Sequence, residues 1–360
     1  MSHPLLRLLA DRAGQVTLGL TLGGLALSLA LWGVPVSDAA DAIAAADLSW
    51  LLVVAVIFLL QQTLRAWRQA IILRCVSPEH TFRTSLSVLC VSFFLINTLP
   101  ARIGELSRPL LLLERDGTPL SAGFAMVVLE RAVDLLATFT MLAMVAWLVE
   151  TPSQTLVIGE TVVDWVALGQ KTASMVLPFA VLGLAGLFFA GRSALVLLNQ
   201  LAAVRLLGHL VRPLVGFAEG FVTALEAARS RAGSILALTA VIWGLTGLMY
   251  PPLAAAFGVG DLIGYGEGIG VLCVTMLATI IPSAPGFAGT YEAAFRAAVG
   301  LFGVSGGAMD AVAVGMALTF HWWVYGVQSL TAIVFLVLDR IRLTVLLERL
   351  SAQMRSSHSA

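Results

Sequence analysis

Long apolar runs recur along this chain at 16–36, 48–72, 119–149, 172–190, 233–257 and 308–338. Each is near or above the roughly 20 residues that a bilayer crossing needs, so each predicts a membrane-spanning helix. The second is apolar as far as Leu60 and then carries Arg65, Arg68 and Arg74. Two further apolar blocks, 84–117 and 264–301, are interrupted by helix breakers and ionisable groups. The first interruption runs Asn97-Thr98-Leu99-Pro100-Ala101-Arg102-Ile103-Gly104-Glu105-Leu106-Ser107-Arg108-Pro109. The second runs Ile281-Pro282-Ser283-Ala284-Pro285-Gly286-Phe287-Ala288-Gly289-Thr290-Tyr291-Glu292. Broken backbone at membrane depth is tolerated only inside protein or beside a wet cavity. Charges there read as functional.

The distribution of positive charge turns these runs into a topology, because Arg and Lys accumulate on the cytoplasmic side. Arg7 and Arg12 place the N-terminus inside, and the loop with Asp38, Asp41 and Asp47 lies outside. Arg65, Arg68, Arg74 and Arg83 return the chain to the inside. The loop 150–171, with Glu150, Glu160 and Asp164 against Lys171, belongs outside. The linker 191–232 is arginine-rich and belongs inside, as does the C-terminus with Arg340, Arg342, Arg349 and Arg355. Block 84–117 must then start and end inside, and block 264–301 must start and end outside. Both read as re-entrant helical hairpins entering from opposite faces. Full spans that break the charge rule are the alternative.

The expected fold is an all-α polytopic membrane protein: six full spans plus two re-entrant hairpins in an inverted repeat. It forms one membrane domain over 1–360. The first half is 1–171 with hairpin 84–117, the second is 172–338 with hairpin 264–301, and 339–360 is a cytoplasmic tail. Paired broken elements in two halves of a chain point to a transporter binding site.

Composition agrees. The chain is 59% hydrophobic and 12% charged, with mean hydropathy +0.95, whereas roughly a quarter of a soluble domain is charged. The formal net charge of zero argues against nucleic acid as a partner. Cys75, Cys90 and Cys273 have neither metal spacing nor disulfide logic, so no metal and no cofactor is expected. The run Val16–Val36 exceeds the roughly 7–15 residues of a signal-peptide core, so it is expected to be retained as a span.

Candidate chemistry gathers in four places. Pro100 suits the first turn of a half-helix, and Pro109 should disturb the helix near Glu105. Arg102, Glu105 and Arg108 follow at spacings of three, near one face. They line a polar cavity, or they snorkel to headgroups. In span 119–149, Glu130 and Asp134 share a face and need a cation; Arg131 is one, and Arg102 or Arg108 another. Their roles divide between structural pairing and substrate contact. In the second hairpin Ser283 could cap the helix after the break, and N–H groups around Gly286 would form an anion site. Tyr291 offers a hydroxyl. Glu292 pairs with Arg296 one turn on, or faces Arg102 or Arg108 across the halves. His321, amid Trp322, Trp323 and Tyr325, is a packed helix contact or a proton relay. Glu267 is expected to be solvated. The linker 193–231 reads as one or two amphipathic helices at the cytoplasmic face.

The run Leu99–Arg108, then Glu130-Arg131-Ala132-Val133-Asp134, then Pro285–Glu292 resembles the lysylphosphatidylglycerol synthase transmembrane family. That is the flippase-like membrane domain of the multiple peptide resistance factor. The resemblance covers about 16–338 and implies that Arg102, Glu105, Arg108, Glu130, Arg131, Asp134 and Glu292 are the family's polar positions. Bifunctional members add a soluble aminoacyl-transferase domain. Only 339–360 follow the last span here, so synthase activity is not carried over.

The expected function is a lipid flippase in a bacterial cytoplasmic membrane, both termini cytoplasmic, moving an anionic lipid or lipid-linked headgroup. Membrane lipid is the partner, as substrate, and a homo-oligomer is left open. No Walker A pattern is present. The substrate-binding set is Arg102, Glu105, Arg108, Glu130, Arg131, Asp134, Ser283, Gly286, Tyr291 and Glu292, with no catalytic residue. The alternatives are a non-catalytic subunit scaffolding lipid or envelope synthesis, and an intramembrane enzyme using His321 with Glu292.

Overall fold

The computed structural model describes residues 12–98, 104–149, 155–158, 161–203, 208–279 and 284–341. Long helices dominate. After α1 (Arg12–Ala30) and the short α2 (Val36–Ala44), α3 (Leu48–Leu73) begins at Asp47. The Asp47 carboxylate accepts from the Ser49 N–H at 2.8 Å and its hydroxyl at 2.7 Å, a side-chain cap for orphan donors. Next come α4 (Phe82–Thr98), α5 (Ser107–Asp116) and α6 (Leu120–Leu148). A two-stranded antiparallel ribbon, β1 (Thr155–Ile158) with β2 (Thr161–Asp164), sets Thr155 opposite Asp164. β-branched Thr and Val fit that pleated surface, a detail the all-helical reading did not include.

The second half runs α7 (Trp165–Phe189), α8 (Gly191–Ala203), α9 (Gly208–Arg229), α10 (Ala232–Leu248) and α11 (Tyr250–Ala256). It continues with α12 (Tyr265–Ala278), a 3₁₀ turn at Pro285–Phe287, α13 (Thr290–Leu301) and α14 (Ala308–Leu338). Leu48–Leu73, Leu120–Leu148, Ala167–Phe189, Ala232–Ala256 and Ala308–Leu338 are long and apolar enough to cross a bilayer, matching five of the six sequence segments. The remaining one, 16–36, overlaps α1. The chain is a multi-pass membrane protein. The expected linker helices are α8 and α9, joined by Arg192 donating to Glu226 at 2.7 and 3.0 Å.

Both interrupted blocks fold back on themselves. At 1.5 Å per residue, the ten-residue α5 spans about 15 Å and the twelve-residue α13 about 18 Å, short of the roughly 30 Å of a hydrocarbon core. The two ends of the first block meet. The His80 ring bonds Asp116, and the Thr118 hydroxyl reaches the Ser77 hydroxyl at 3.4 Å. Near the ends of the second block, Leu262 borders Gly303.

The first break is closed by Gly104, where a Cβ would lie 2.3 Å from the Ile96 nitrogen, so only glycine lets the returning chain rest on α4. After the 3₁₀ turn at Gly104–Leu106 the helix restarts at Ser107. Pro109 therefore sits in a first turn, where its missing donor costs nothing. It does not perturb a helix around Glu105 as the sequence suggested.

The second break contains Gly286 at φ +68° and Gly289 at φ +88°. A Cβ on Gly289 would come within 1.8 Å of the Gly23 carbonyl oxygen, so α1 crosses this hairpin backbone against backbone. Arg296 completes the crossing. Its guanidinium donates to the Ala30 and Trp32 carbonyls at 2.7 and 2.9 Å, meeting acceptors that a helix C-terminus leaves open. Asp310 lies 3.4 Å from it. The expected Glu292–Arg296 pair is not made, because these carbonyls claim the guanidinium.

Two packed clusters flank the middle of the molecule. One gathers Leu73, Val88, Leu95, Leu111 and Leu129 from α3 to α6. The other gathers Leu142, Ile269, Tyr250, Phe295, Phe302 and Phe320, with the Tyr250 and Phe295 rings stacked at 6.0 Å. Between lipid-bathed helices such contacts stabilise by close packing, since lipid tails are as apolar as leucine.

Candidate functional site

The described residues flanking the two breaks meet. Gly286 of the second lies against the Asn97 carbonyl at the end of α4, with 3.3 Å between that oxygen and a Cβ placed on the glycine. Beneath them lies a cavity of about 310 Å³ walled by both halves of the chain. The first half contributes Gln61, Gln62 and Arg65 of α3, Asn97 of α4, Glu105, and Arg131 and Asp134 of α6. The second contributes Trp243, Tyr250, Gly286, Phe287, Tyr291, His321, Tyr325 and Gln328.

Charge concentrates where α3, α5 and α6 meet. Arg68, 1% exposed, donates to the Asp134 carboxylate at 2.7 Å and to the Thr239 hydroxyl at 2.7 Å. Its Nε stands 3.8 Å from Glu130. Arg108, also buried, donates to the other Glu130 oxygen. Asp134 further accepts from the Trp243 indole N–H at 3.1 Å and faces Arg131 at 3.4 Å. Arg131 is 47% exposed at its side chain. Buried charges persist only when paired and hydrogen-bonded; every charge of this network is ion-paired, and Arg68 Nε and one Glu130 oxygen are left without a hydrogen bond.

The network holds two departures from expectation. Arg68, buried in the body of α3, is paired to the α6 carboxylates, while Arg65, three residues before it, lines the cavity. Arg108 stands behind the cavity wall, committed to Glu130, so neither Arg108 nor Glu130 lines the cavity. The halves are joined by Arg68–Thr239 and Trp243–Asp134; Glu292 does not pair with Arg108, and its other expected partner, Arg102, lies outside the described residues.

Glu292 has a different partner. One oxygen bonds His321 Nδ1 at 2.7 Å and the other accepts from the Gly289 N–H at 2.7 Å. Glu292 therefore caps its own helix at N3, a capping-box position, and holds the imidazole at the cavity edge. Tyr291 stacks on that imidazole at 4.4 Å and bonds Tyr250. Glu267 is likewise a cap, accepting from the Gly264 N–H at 3.1 Å.

Glutamines complete the wall. Gln61 donates to Thr246 at 2.7 Å. Gln62 donates to Gln328, which donates to the Cys90 carbonyl at 3.0 Å. This ladder crosses α3, α14 and α4.

Of the sequence-derived set, the structure brings Glu105, Arg131, Asp134, Gly286 and Tyr291 into one cavity wall. Arg108, Glu130 and Glu292 stand immediately behind it. Arg102 and Ser283 lie outside the described residues, as does Pro100. Sequence reasoning missed Arg65, Arg68, Trp243 and the glutamines. A signal was present: Glu130 and Asp134 required more cations than Arg131 supplied, and α3 carries two arginines three residues apart.

The model of the Lysylphosphatidylglycerol synthase TM region matches residues 16–330. A curated relative, "Glycosyltransferase AglD" of Haloferax volcanii, is 28% identical over 306 residues, covering 79% of this chain and 48% of that protein. The chain thus spans about half the length of the curated relative it matches. No solved structure matches.

Proposed function

We propose that this chain, which belongs to the lysylphosphatidylglycerol synthase transmembrane family, moves an anionic lipid or anionic lipid-linked headgroup across the bacterial cytoplasmic membrane. The observation that carries this reading is the cavity beneath two touching hairpin tips, lined by ionisable groups from both halves. Transporters bind substrate where paired broken helices meet, near the midplane. Intramembrane charges are too costly to persist without a role. In this reading the headgroup enters the polar cavity, the acyl chains stay in lipid, and the two hairpins form an inverted pair with both termini cytoplasmic. The ion-paired network of Arg68, Arg108, Glu130 and Asp134 is the rigid wall, and the hairpin tips are the moving parts. No bond is made or broken here.

The relative's name favours a second reading, in which this membrane region serves transfer of a sugar carried on lipid. Both readings place a lipid-linked anion in the same cavity, and they separate on movement. Purified protein in liposomes containing fluorescent phosphatidylglycerol is expected to raise the rate at which inner-leaflet label becomes accessible to an external quencher. Rates equal to protein-free liposomes, for phosphatidylglycerol and for a phosphorylated polyprenol alike, would overturn transport.

A further inference from the structure

Among the arginines around the cavity, Arg65 is the exception. Arg68, Arg108 and Arg131 each have a carboxylate within 4.0 Å. Arg65 has none among the described residues. Its Nε, like that of Arg68, is shielded from solvent with no hydrogen-bond partner, and its guanidinium lies 5.8 Å over the Phe93 ring. The carboxylates nearest in the network are already engaged: Asp134 by Arg68, Arg131 and Trp243, and Glu130 by Arg68 and Arg108. Arg65 lines the cavity. A guanidinium with no carboxylate in ion-pair contact in a low-dielectric site is costly, and its planar fork matches a phosphate's oxygens two at a time.

We propose that Arg65 is the residue that receives the phosphate of an anionic lipid headgroup in this cavity. Phe93, a ring that Arg108 also approaches at 5.0 Å, offers the guanidinium a cation–π contact, and Gln61, one turn earlier on α3 and held by Thr246, stands on the same helix face to meet a neighbouring oxygen. Arg131, half-exposed and already facing Asp134, is not the primary contact. Glu105 lines the same cavity without an ion pair to Arg65 and sets its depth for an anion: the phosphate must stop short of this carboxylate. This deepens the transport reading by naming the group that is recognised, and binding measured without transport keeps the two separable.

Calorimetric titration of purified full-length protein with short-chain dihexanoyl phosphatidylglycerol, with inorganic phosphate and with hexanoate tests it. The phosphodiester lipid is expected to bind tightest, free phosphate at the same site but more weakly, and hexanoate not to compete. Arg65→Gln should weaken dihexanoyl phosphatidylglycerol about tenfold or more, the loss of a charge-assisted contact, and Arg65→Lys should weaken it less while preserving the fold. Arg192→Gln, on the surface pair with Glu226, controls for general charge and should bind as the native protein does. Glu105→Gln should bind as tightly or more tightly. Native affinity in Arg65→Gln overturns the proposal, as does hexanoate competing as well as phosphate. A loss in Glu105→Gln equal to that in Arg65→Gln would make the recognised group a cation and overturn it too. Binding through Arg65 with no lipid movement would overturn transport alone.

Discussion

Arg68 is the residue on which the polar wall depends. Buried at 1% exposure, it touches Asp134, Glu130 and Thr239, three groups from two further helices. Removing one partner of a buried pair strands the other and costs about 3–5 kcal/mol. Arg68→Gln should therefore lower stability in detergent by that order, and adding Asp134→Asn should recover part of it. The recovery, read by a double-mutant cycle of thermal melts, distinguishes an ion pair from simple packing; strictly additive losses would show that the two groups act independently. The carboxylates of this wall were legible in the sequence, because Glu130 and Asp134 at i,i+4 inside an apolar run need cations. Their main cation was not, since Arg65 and Arg68 follow Leu60 at a place where charge can equally mark a membrane surface. Only helix α3 continuing as one rod to Leu73 carries them to α6.

At the scale of elements, the last span is fastened to the base of the first hairpin by Asp339. It accepts from Arg83 at 2.6 Å, faces Arg115 at 2.9 Å and is bonded by the Ser87 hydroxyl. Burial pushes the Asp339 carboxyl up, but the Ser87 hydroxyl and the two arginines outweigh it and hold it below the ordinary carboxylate range. A carboxylate depressed on folding adds stability that is complete above its unfolded pKa and is lost as pH falls through the folded one. The melting temperature should fall on acidification below about pH 4, and Asp339→Asn should be less stable at neutral pH with a shallower acid slope. An unchanged slope in Asp339→Asn would assign the acid loss elsewhere. The hairpins themselves were legible as elements, from breakers plus charges inside apolar blocks. The restart of α5 at Ser107 was not. It depends on Gly104 resting against Leu95 and Ile96, a long-range contact that Pro109 alone does not signal. Glu292 was misassigned for a related reason: spacing offered Arg296, whereas α1 delivers the Ala30 and Trp32 carbonyls to that arginine.

For the whole molecule, the sequence pointed to paired broken elements in two halves as a binding site, and the structure seats Gly286 against the Asn97 carbonyl. The structure adds what the tips enclose: a cavity faced by Arg65, Glu105, His321 and Tyr291. If substrate passes between the halves, the tips must separate during the cycle, and fastening them must stop it. Asn97→Cys with Phe287→Cys, made in a background lacking Cys75, Cys90 and Cys273, places one thiol on each tip. Phe287 is already a side-chain-bearing residue at φ +61°, so this substitution adds no new backbone demand there. The decisive measurement is the rate of fluorescent phosphatidylglycerol movement in proteoliposomes before oxidation, after oxidation to the disulfide, and after reduction. Arrest on oxidation and recovery on reduction is the predicted result; an equal rate with the tips joined and free would contradict passage between the hairpins.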